Sequence, residues 1–160
     1  MQITVASGKG GTGKTTVATS LALSLAQKPG TISPLFLDCD VEAPNAHLFL
    51  EPRFDRREDV GILIPQVDEE KCTNCGKCAT VCRYHAIVVL GKKTLVFPQL
   101  CHGCGSCSLV CPEGAISERV EVMGVLEAGP GRSGIQFARG VLNIGEPMAV
   151  PVIRQLKKWV

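Results

Sequence analysis

One stretch of 16 residues with four cysteines occurs twice in this chain. CTNCGKCATVCRYHAI, residues 72–87, returns 29 residues later as CHGCGSCSLVCPEGAI, residues 101–116. All four cysteines match, and so do the glycine after the second cysteine, the valine before the fourth and the final Ala-Ile. An internal repeat of this kind predicts two similar half-units packed together. Because eight of the nine cysteines lie in this segment, their spacing constrains the fold more than any other feature.

The spacing within each repeat, C-x2-C-x2-C-x3-C, indicates iron–sulfur chemistry. A tight turn brings three thiolates to three corners of a cube, and a fourth from a more distant segment completes it. Zinc sites usually pair one C-x2-C with a second, well-separated C-x2-C and lack this triple. Disulfides within such short spacings would be strained, and a reducing cytosol opposes them. The pattern therefore favours clusters over both alternatives.

Each run resembles that of bacterial ferredoxins, in which the fourth cysteine ligates the other of two [4Fe–4S] clusters. The resemblance implies two ligand sets: Cys72, Cys75, Cys78 and Cys111 for one cluster, and Cys82, Cys101, Cys104 and Cys107 for the other. Arg83 departs from the pattern, because proline follows the fourth cysteine in ferredoxins, as Pro112 does here. We expect this cation to favour the reduced form of the nearby cluster. His102 is either a solvated residue or a hydrogen-bond donor to a cluster sulfur.

A second motif, SGKGGTGKTT at residues 7–16, fits the phosphate-loop pattern G-x-x-x-x-G-K-[ST]. The β-formers of residues 2–6 predict a strand before it. The apolar repeat at Val17, Leu21 and Leu25 predicts a helix after it, ended by Pro29 and Gly30. A helix N-terminus favours an anion, so we expect a nucleotide and Mg²⁺ here rather than a chance Gly-rich turn. The predicted binding residues are Gly8, Lys9, Gly10, Gly11, Thr12, Gly13, Lys14, Thr15 and Thr16, with Thr15 on the Mg²⁺.

The extra lysine makes KGGTGKT similar to the deviant Walker A loop of the MinD, Mrp and ParA ATPases. The resemblance implies ATP as ligand and an ATP-dependent homodimer, in which Lys9 reaches the partner's nucleotide; the alternative is a solvated surface lysine. In that family the D-x-D of residues 38–40 is switch I, so Lys9, Lys14 and Asp40 are the candidate catalytic residues. Asn45 is a further candidate. A strand-end cap or turn is the alternative for both Asp40 and Asn45.

The fold predicted from these segments is α/β: a partial P-loop NTPase parallel sheet with an inserted α+β ferredoxin-like domain. PLFLDCD, residues 34–40, reads as a buried parallel strand with Cys39 in the core. Further strands are predicted at residues 60–68, 119–129 and 134–145, and a helix opens at Pro147 or at Pro151. The ferredoxin domain then covers residues 66–118, and the ATPase covers residues 1–65 and 119–160.

This arrangement resembles MinD-superfamily ATPases that contain an inserted ferredoxin domain. No hhhhD-x-x-P-G segment, which carries the Walker B aspartate in that family, occurs in the sequence, so the chain looks like the N-terminal half of such a protein. ATP hydrolysis is therefore implied by the resemblance alone. With so few strands to cover it, the helix after the phosphate loop is expected to expose an apolar face or to bind a partner chain.

Composition excludes several classes of function. Formal net charge is +2 with no long basic run, and aromatic residues are scarce, so no nucleic-acid surface is predicted. No apolar run reaches the ~20 residues of a membrane span, and no secretory signal is recognisable, which predicts a cytoplasmic protein. The leading hypothesis is ATP-gated electron transfer to or from an unknown redox partner. The alternative is Mrp-like cluster assembly or delivery, which ligands held permanently by two interlocked runs oppose. Spatial organisation on a membrane or nucleoid would need a basic face or amphipathic tail.

Overall fold

A computed structural model describes residues 1–28, 30 and 33–159. The chain divides into two compact units, Gly61–Met123 and a flanking unit of Met1–Val60 with Gly124–Val160. The elements in chain order are α1 (Lys14–Ala26), β1 (Leu35–Asp38), α2 (His47–Leu50), β2 (Arg56–Val67), α3 (Lys77–Val81), β3 (Ile87–Leu90), β4 (Lys93–Val96), α4 (Ser106–Leu109), β5 (Ile116–Pro130), β6 (Gln136–Leu142) and α5 (Ala149–Trp159). Within the described residues, no helix combines the length and apolarity that crossing a membrane requires.

The larger sheet has the strand order β1-β6-β5-β2. β1 runs parallel to β6, with Leu35 opposite Gln136 and Asp38 opposite Arg139, whereas β5 and β6 are antiparallel. The prediction of a parallel sheet is therefore wrong in part, because the sheet is mixed. Only the short turn of residues 131–135 joins β5 to β6, and a turn of that length can only return the chain antiparallel.

The strand predicted at residues 2–6 is absent from the described structure, in which residues 1–7 have no regular conformation. Met1 and Ile3 are exposed. A run of β-formers becomes a strand only when a neighbour accepts its backbone hydrogen bonds, and β1 is paired with β6 instead. The β-propensity of residues 2–6 suggested a strand, but propensity alone does not show whether a neighbouring strand is available to pair with it.

The helix predicted after the phosphate loop is present as α1. It begins at Lys14, directly after Gly13, whose φ of 84° is left-handed and suits glycine. The predicted stop at Pro29 lies outside the described residues, and α1 already ends at Ala26. Val17 and Leu21 are 57% and 37% exposed, which agrees with the expectation of an exposed apolar face.

The burial predicted for Cys39 is wrong, because Asp38 is the buried residue and Cys39 is exposed. β1 ends at Asp38, and the Asp38 carboxylate accepts the backbone N–H groups of Asp40 and Ala46 at 3.2 and 3.0 Å. A buried carboxylate is tolerated when it is hydrogen-bonded in this way. Its neighbour therefore faces outward.

The remaining predicted elements occur with different limits. β2, β5 and β6 overlap the strands predicted at residues 60–68, 119–129 and 134–145. α5 begins at Ala149 rather than at Pro147 or Pro151, since a proline in the first turn needs no N–H partner. In the flanking unit, Phe137 is 1% exposed and its ring stacks on Phe36 with centroids 5.8 Å apart.

Candidate functional site

The two cysteine runs have the same backbone conformation. Gly76 and Gly105 precede α3 and α4, respectively, with φ of 80° and 73°. Two further pairs of positions separated by the repeat length are also left-handed: Asn74 with Gly103, and His85 with Gly114. Buried Ala86 and Ile87 correspond in the same way to Ala115 and Ile116. The repeat seen in the sequence is therefore a repeat in three dimensions.

Two cavities in the unit Gly61–Met123 gather the eight cysteines of the repeat. Cavity A is lined by Cys72, Cys75, Cys78 and Cys111. Cavity B is lined by Cys82, Cys101, Cys104 and Cys107. Each cavity thus receives three cysteines from one run and the fourth from the other. These are the two sets that the ferredoxin resemblance implies.

The thiols suit a multinuclear cluster in their arrangement. All nine cysteines are free thiols. Among residues 1–28, 30 and 33–159, no three His, Cys, Asp or Glu side chains are grouped to bind a single metal ion. The four cysteines of each set instead border a space, and the ligands of a [4Fe–4S] cluster bind four separate iron atoms in this way.

Backbone amides point at three of the sulfurs. The N–H groups of Ala86 and Ala115 donate to Cys82 and Cys111 Sγ, each at 3.3 Å, and these two bonds are copies of each other in the repeat. Gly103 N–H donates to Cys101 Sγ at 3.4 Å. Donors of this kind favour the thiolate, which is the form that binds metal.

Burial and hydrogen bonding change the pKa of these thiols in opposite directions. Burial is the main cause that raises the pKa of three of them, Cys78, Cys101 and Cys107. At Cys104, a hydrogen bond with the Ser106 hydroxyl lowers the pKa, and the two side-chain atoms lie 3.4 Å apart. The buried thiolates need a cation nearby to be stable, which iron would supply.

Sequence reasoning missed a polar group beside cavity A. The Thr94 hydroxyl lies 3.4 Å from Cys72 Sγ and donates to Asn74 Oδ1 at 3.0 Å. Thr94 belongs to β4, far from any cysteine in the chain, and no local pattern marks it. Ser106 at cavity B could have been found, because it follows Cys104 by two residues.

The rims of the two cavities differ. Tyr84 and His102 line cavity B, and their rings stack with centroids 3.6 Å apart and planes 14° from parallel. The residues at the corresponding repeat positions, Glu113 and Thr73, line cavity A. Arg83 is exposed on the segment between Cys82 and Tyr84.

The structure brings together one residue of the predicted phosphate loop and the candidate Asn45 from the segment after residues 38–40. Thr15 Oγ1, in the first turn of α1, donates to Asn45 Oδ1 at 2.9 Å. Asn45 lies in the loop after β1, which also carries the exposed Asp40 and is held by the Asp38 carboxylate.

The rest of the loop is open to solvent. Residues 8–13 are exposed, and Lys14 Nζ donates to the Lys9 carbonyl at 3.5 Å. The Ser7 and Thr12 hydroxyls lie 2.8 Å apart. The backbone of the loop and the exposed Lys9 are therefore accessible to a ligand at the N-terminus of α1, and Lys14 is partly accessible.

Comparison with known proteins identifies the cysteine segment. Two family models, both described as a 4Fe-4S dicluster domain, match residues 65–117 and 37–86. Two uncharacterized proteins of Methanocaldococcus jannaschii are similar to the chain. MJ0578 is 37% identical over 87 residues, or 54% of this chain and 30% of the relative. MJ0579 is 34% identical over 102 residues, or 62% and 35%.

A third relative from the same organism, a coenzyme F420-dependent sulfite reductase, is 50% identical over 32 residues, which is 20% of this chain and 5% of the relative. The chain thus spans about a third of the length of the first two relatives. Cysteine spacing, paired cavities and family matches agree. The chain contains 4Fe-4S dicluster ferredoxin sequence, and its cofactors are iron–sulfur clusters.

Proposed function

We propose that the protein transfers electrons through two [4Fe–4S] clusters, one in cavity A and one in cavity B, and that Mg–ATP at residues 8–16 controls this transfer. The observation that carries the proposal is the crossed composition of the cavities, each with three cysteines of one run and the fourth of the other. The short likeness to a protein named as a reductase supports a redox role.

Each cluster supplies one-electron chemistry at a potential set by its surroundings. The chain's own groups provide those surroundings. The amides of Ala86, Ala115 and Gly103 donate to ligand sulfurs and stabilise negative charge on them. The Thr94 hydroxyl beside Cys72 would do the same if its proton turned from Asn74 Oδ1 to that sulfur once the sulfur is deprotonated. Permanent thiolate ligation of this kind suits an electron carrier rather than a protein that delivers its clusters.

The nucleotide half of the proposal is supported by the N-terminus of α1. Its amides and dipole favour phosphate, Gly13 allows the tight approach, and Lys14 supplies positive charge. Thr15 would hold Mg²⁺, exchanging its bond to Asn45 for a metal contact. Asp40 would face the attacking water. Lys9, exposed in this chain, would reach the nucleotide of a second copy in an ATP-dependent dimer.

The test compares the anaerobic holoprotein with a Lys14→Ala variant, each with and without Mg–ATP. We expect both proteins to bind a full complement of iron and to give the electron paramagnetic resonance (EPR) signals of reduced [4Fe–4S] clusters. Only the wild type should show a nucleotide-dependent change in reduction potential or in the rate of reduction of an added one-electron acceptor. A chain without reducible clusters would refute electron transfer. Confirmed ATP binding with no change in either quantity would refute the gating while leaving electron transfer intact.

A further inference from the structure

We propose that the Tyr84–His102 stack is a partial cover that limits the entry of water into cavity B, and that it lowers the reduction potential of the cluster there and slows its loss. The inference rests on the proposed function only in placing a cluster in cavity B. It does not depend on ATP. Both residues act through the environment of the cluster and are positioning residues rather than ligands.

The geometry of the stack supports a partial cover over cavity B, where His102 and the predicted ligand Cys104 are themselves exposed. With centroids 3.6 Å apart and planes 14° from parallel, the two rings are in van der Waals contact and leave no room for a water molecule between them. Both rings line cavity B, whose wall also includes Leu63 and Pro65. Tyr84 is 46% exposed, so the stack has one side towards the cavity and another towards solvent.

The internal repeat shows that the fold does not require this cover. At the corresponding positions, cavity A has Glu113 in place of Tyr84 and Thr73 in place of His102. The backbones of the two halves match, as their paired left-handed residues show. A carboxylate and a hydroxyl retain water, whereas stacked rings exclude it. We therefore expect the side chains at these two positions to make cavity B less hydrated than cavity A.

The effect on the cluster follows from charge. A [4Fe–4S] cluster with four thiolates becomes more negative on reduction, and water stabilises the more highly charged state. Excluding water therefore disfavours reduction and lowers the potential. The same cover slows the approach of oxygen and the hydrolytic loss of iron.

The experiment uses the anaerobic holoprotein with Tyr84→Ala and Tyr84→Phe. Potentials are measured by EPR-monitored redox titration, and the shifted β-proton NMR signals of the ligand cysteines report each cluster separately. We expect Tyr84→Ala to raise the potential of the cluster in cavity B. Its rate of loss in air should rise about threefold to tenfold, the range expected when one aromatic contact is removed. Tyr84→Phe keeps the ring and should behave as the wild type.

Two further variants serve as a replacement for Tyr84→Ala, should it fail to fold, and as a control at cavity A. His102→Thr installs the residue of cavity A, keeps the tyrosine ring and should reproduce Tyr84→Ala if that variant fails to fold. Glu113→Ala is the matched control at cavity A and should leave the signals of Cys82, Cys101, Cys104 and Cys107 unchanged. The proposal is overturned if the alanine variant leaves cavity B unaffected, if the phenylalanine variant matches it, or if the shift appears on the cluster of cavity A. Iron content of the wild type tests the cluster assignment separately.

Discussion

The cysteine segment and the phosphate loop are both strong sequence motifs, but the structure realises them to different degrees. The cysteine runs specify a tertiary arrangement, and eight residues from two segments meet in two cavities in the expected combination. The phosphate loop specifies only its local outcome, the start of α1 at Lys14. The strand expected before it is absent from the described residues, and the sheet beside it is mixed. A motif predicts contacts between distant segments only when its chemistry requires side chains from those segments to bind the same group.

The largest expected effect tests the crossed arrangement itself. Cys111→Ala should remove the cluster of cavity A and spare that of cavity B, and Cys82→Ala should do the reverse, because each fourth cysteine lies in the cavity of the other run. Each variant should retain about half of the iron. Iron and sulfide analysis with ligand β-proton NMR measures this, and Cys39→Ala should keep both clusters. Loss of the cluster of the mutated run would contradict the crossing.

Stability of the flanking unit should depend on its aromatic core. Phe137 is buried against Phe36 and Phe54, so Phe137→Ala should cost about 3–5 kcal/mol of unfolding free energy. Denaturant unfolding followed through Trp159, the single tryptophan, reports it. Phe49→Ala, at a residue of the same unit that is 45% exposed, is the size-matched control and should cost far less. A loss at Phe137 no larger than that at Phe49 would show that this core does not stabilise the unit.

The two aspartates at the end of β1, Asp38 and Asp40, should separate into a structural residue and a functional one. Asp38→Ala leaves two amides without their buried acceptor and should cost about 1–3 kcal/mol. Asp40→Ala removes an exposed side chain and should leave stability nearly unchanged. Thermal unfolding of the two variants under identical conditions measures the difference. A larger loss at Asp40 would reverse the roles.

The smallest effect concerns Cys39, the cysteine outside both cavities. Although the Cys39 side chain is exposed overall, partial burial of its thiol, followed by the Asp38 charge, raises the pKa of this thiol above the ordinary 9.0. Since only the thiolate reacts, alkylation of the holoprotein at pH ~8 should be slower than that of free cysteine and should accelerate about tenfold per pH unit. Mass spectrometry of iodoacetamide-treated protein locates and times the label. Faster labelling at Cys78 or Cys101 would show that the cavities are not protected by bound clusters.

The extent to which the sequence predicted the structure follows from the same contrast. The repeat offset predicted the paired backbone of α3 and α4, and the ferredoxin resemblance predicted the cysteine sets that share a cavity. Short-range patterns identified β2, β5, β6 and the start of α1. They could not identify a β-strand's partner, so the strand predicted at residues 2–6 was wrong and the sheet is mixed rather than wholly parallel.

Contacts between side chains from distant segments could not be predicted from the sequence either. Thr94 reaches Cys72 because β4 passes beside it, and the ring of Tyr84 meets that of His102 across the repeat. Cys39 was predicted in the core because alternation along a strand does not say which residues face inward. In the structure Asp38 faces inward, since its carboxylate accepts two backbone N–H groups there. Phosphate-loop chemistry, the dimer and the domain limits stay predictions.

The exchange of the fourth cysteine between cavities also bears on the order in which the chain can be assembled. With each cluster bound, Cys72 is tied to Cys111 and Cys82 to Cys101, and the first of these ties spans nearly the whole repeat. Such ties act as cross-links that remove loop entropy from the unfolded chain. If the clusters bind as proposed, neither run can complete its own cluster, and both runs must leave the ribosome before either site can close. Iron loading would then wait for the second run, and the eight thiols would have to stay reduced until that point.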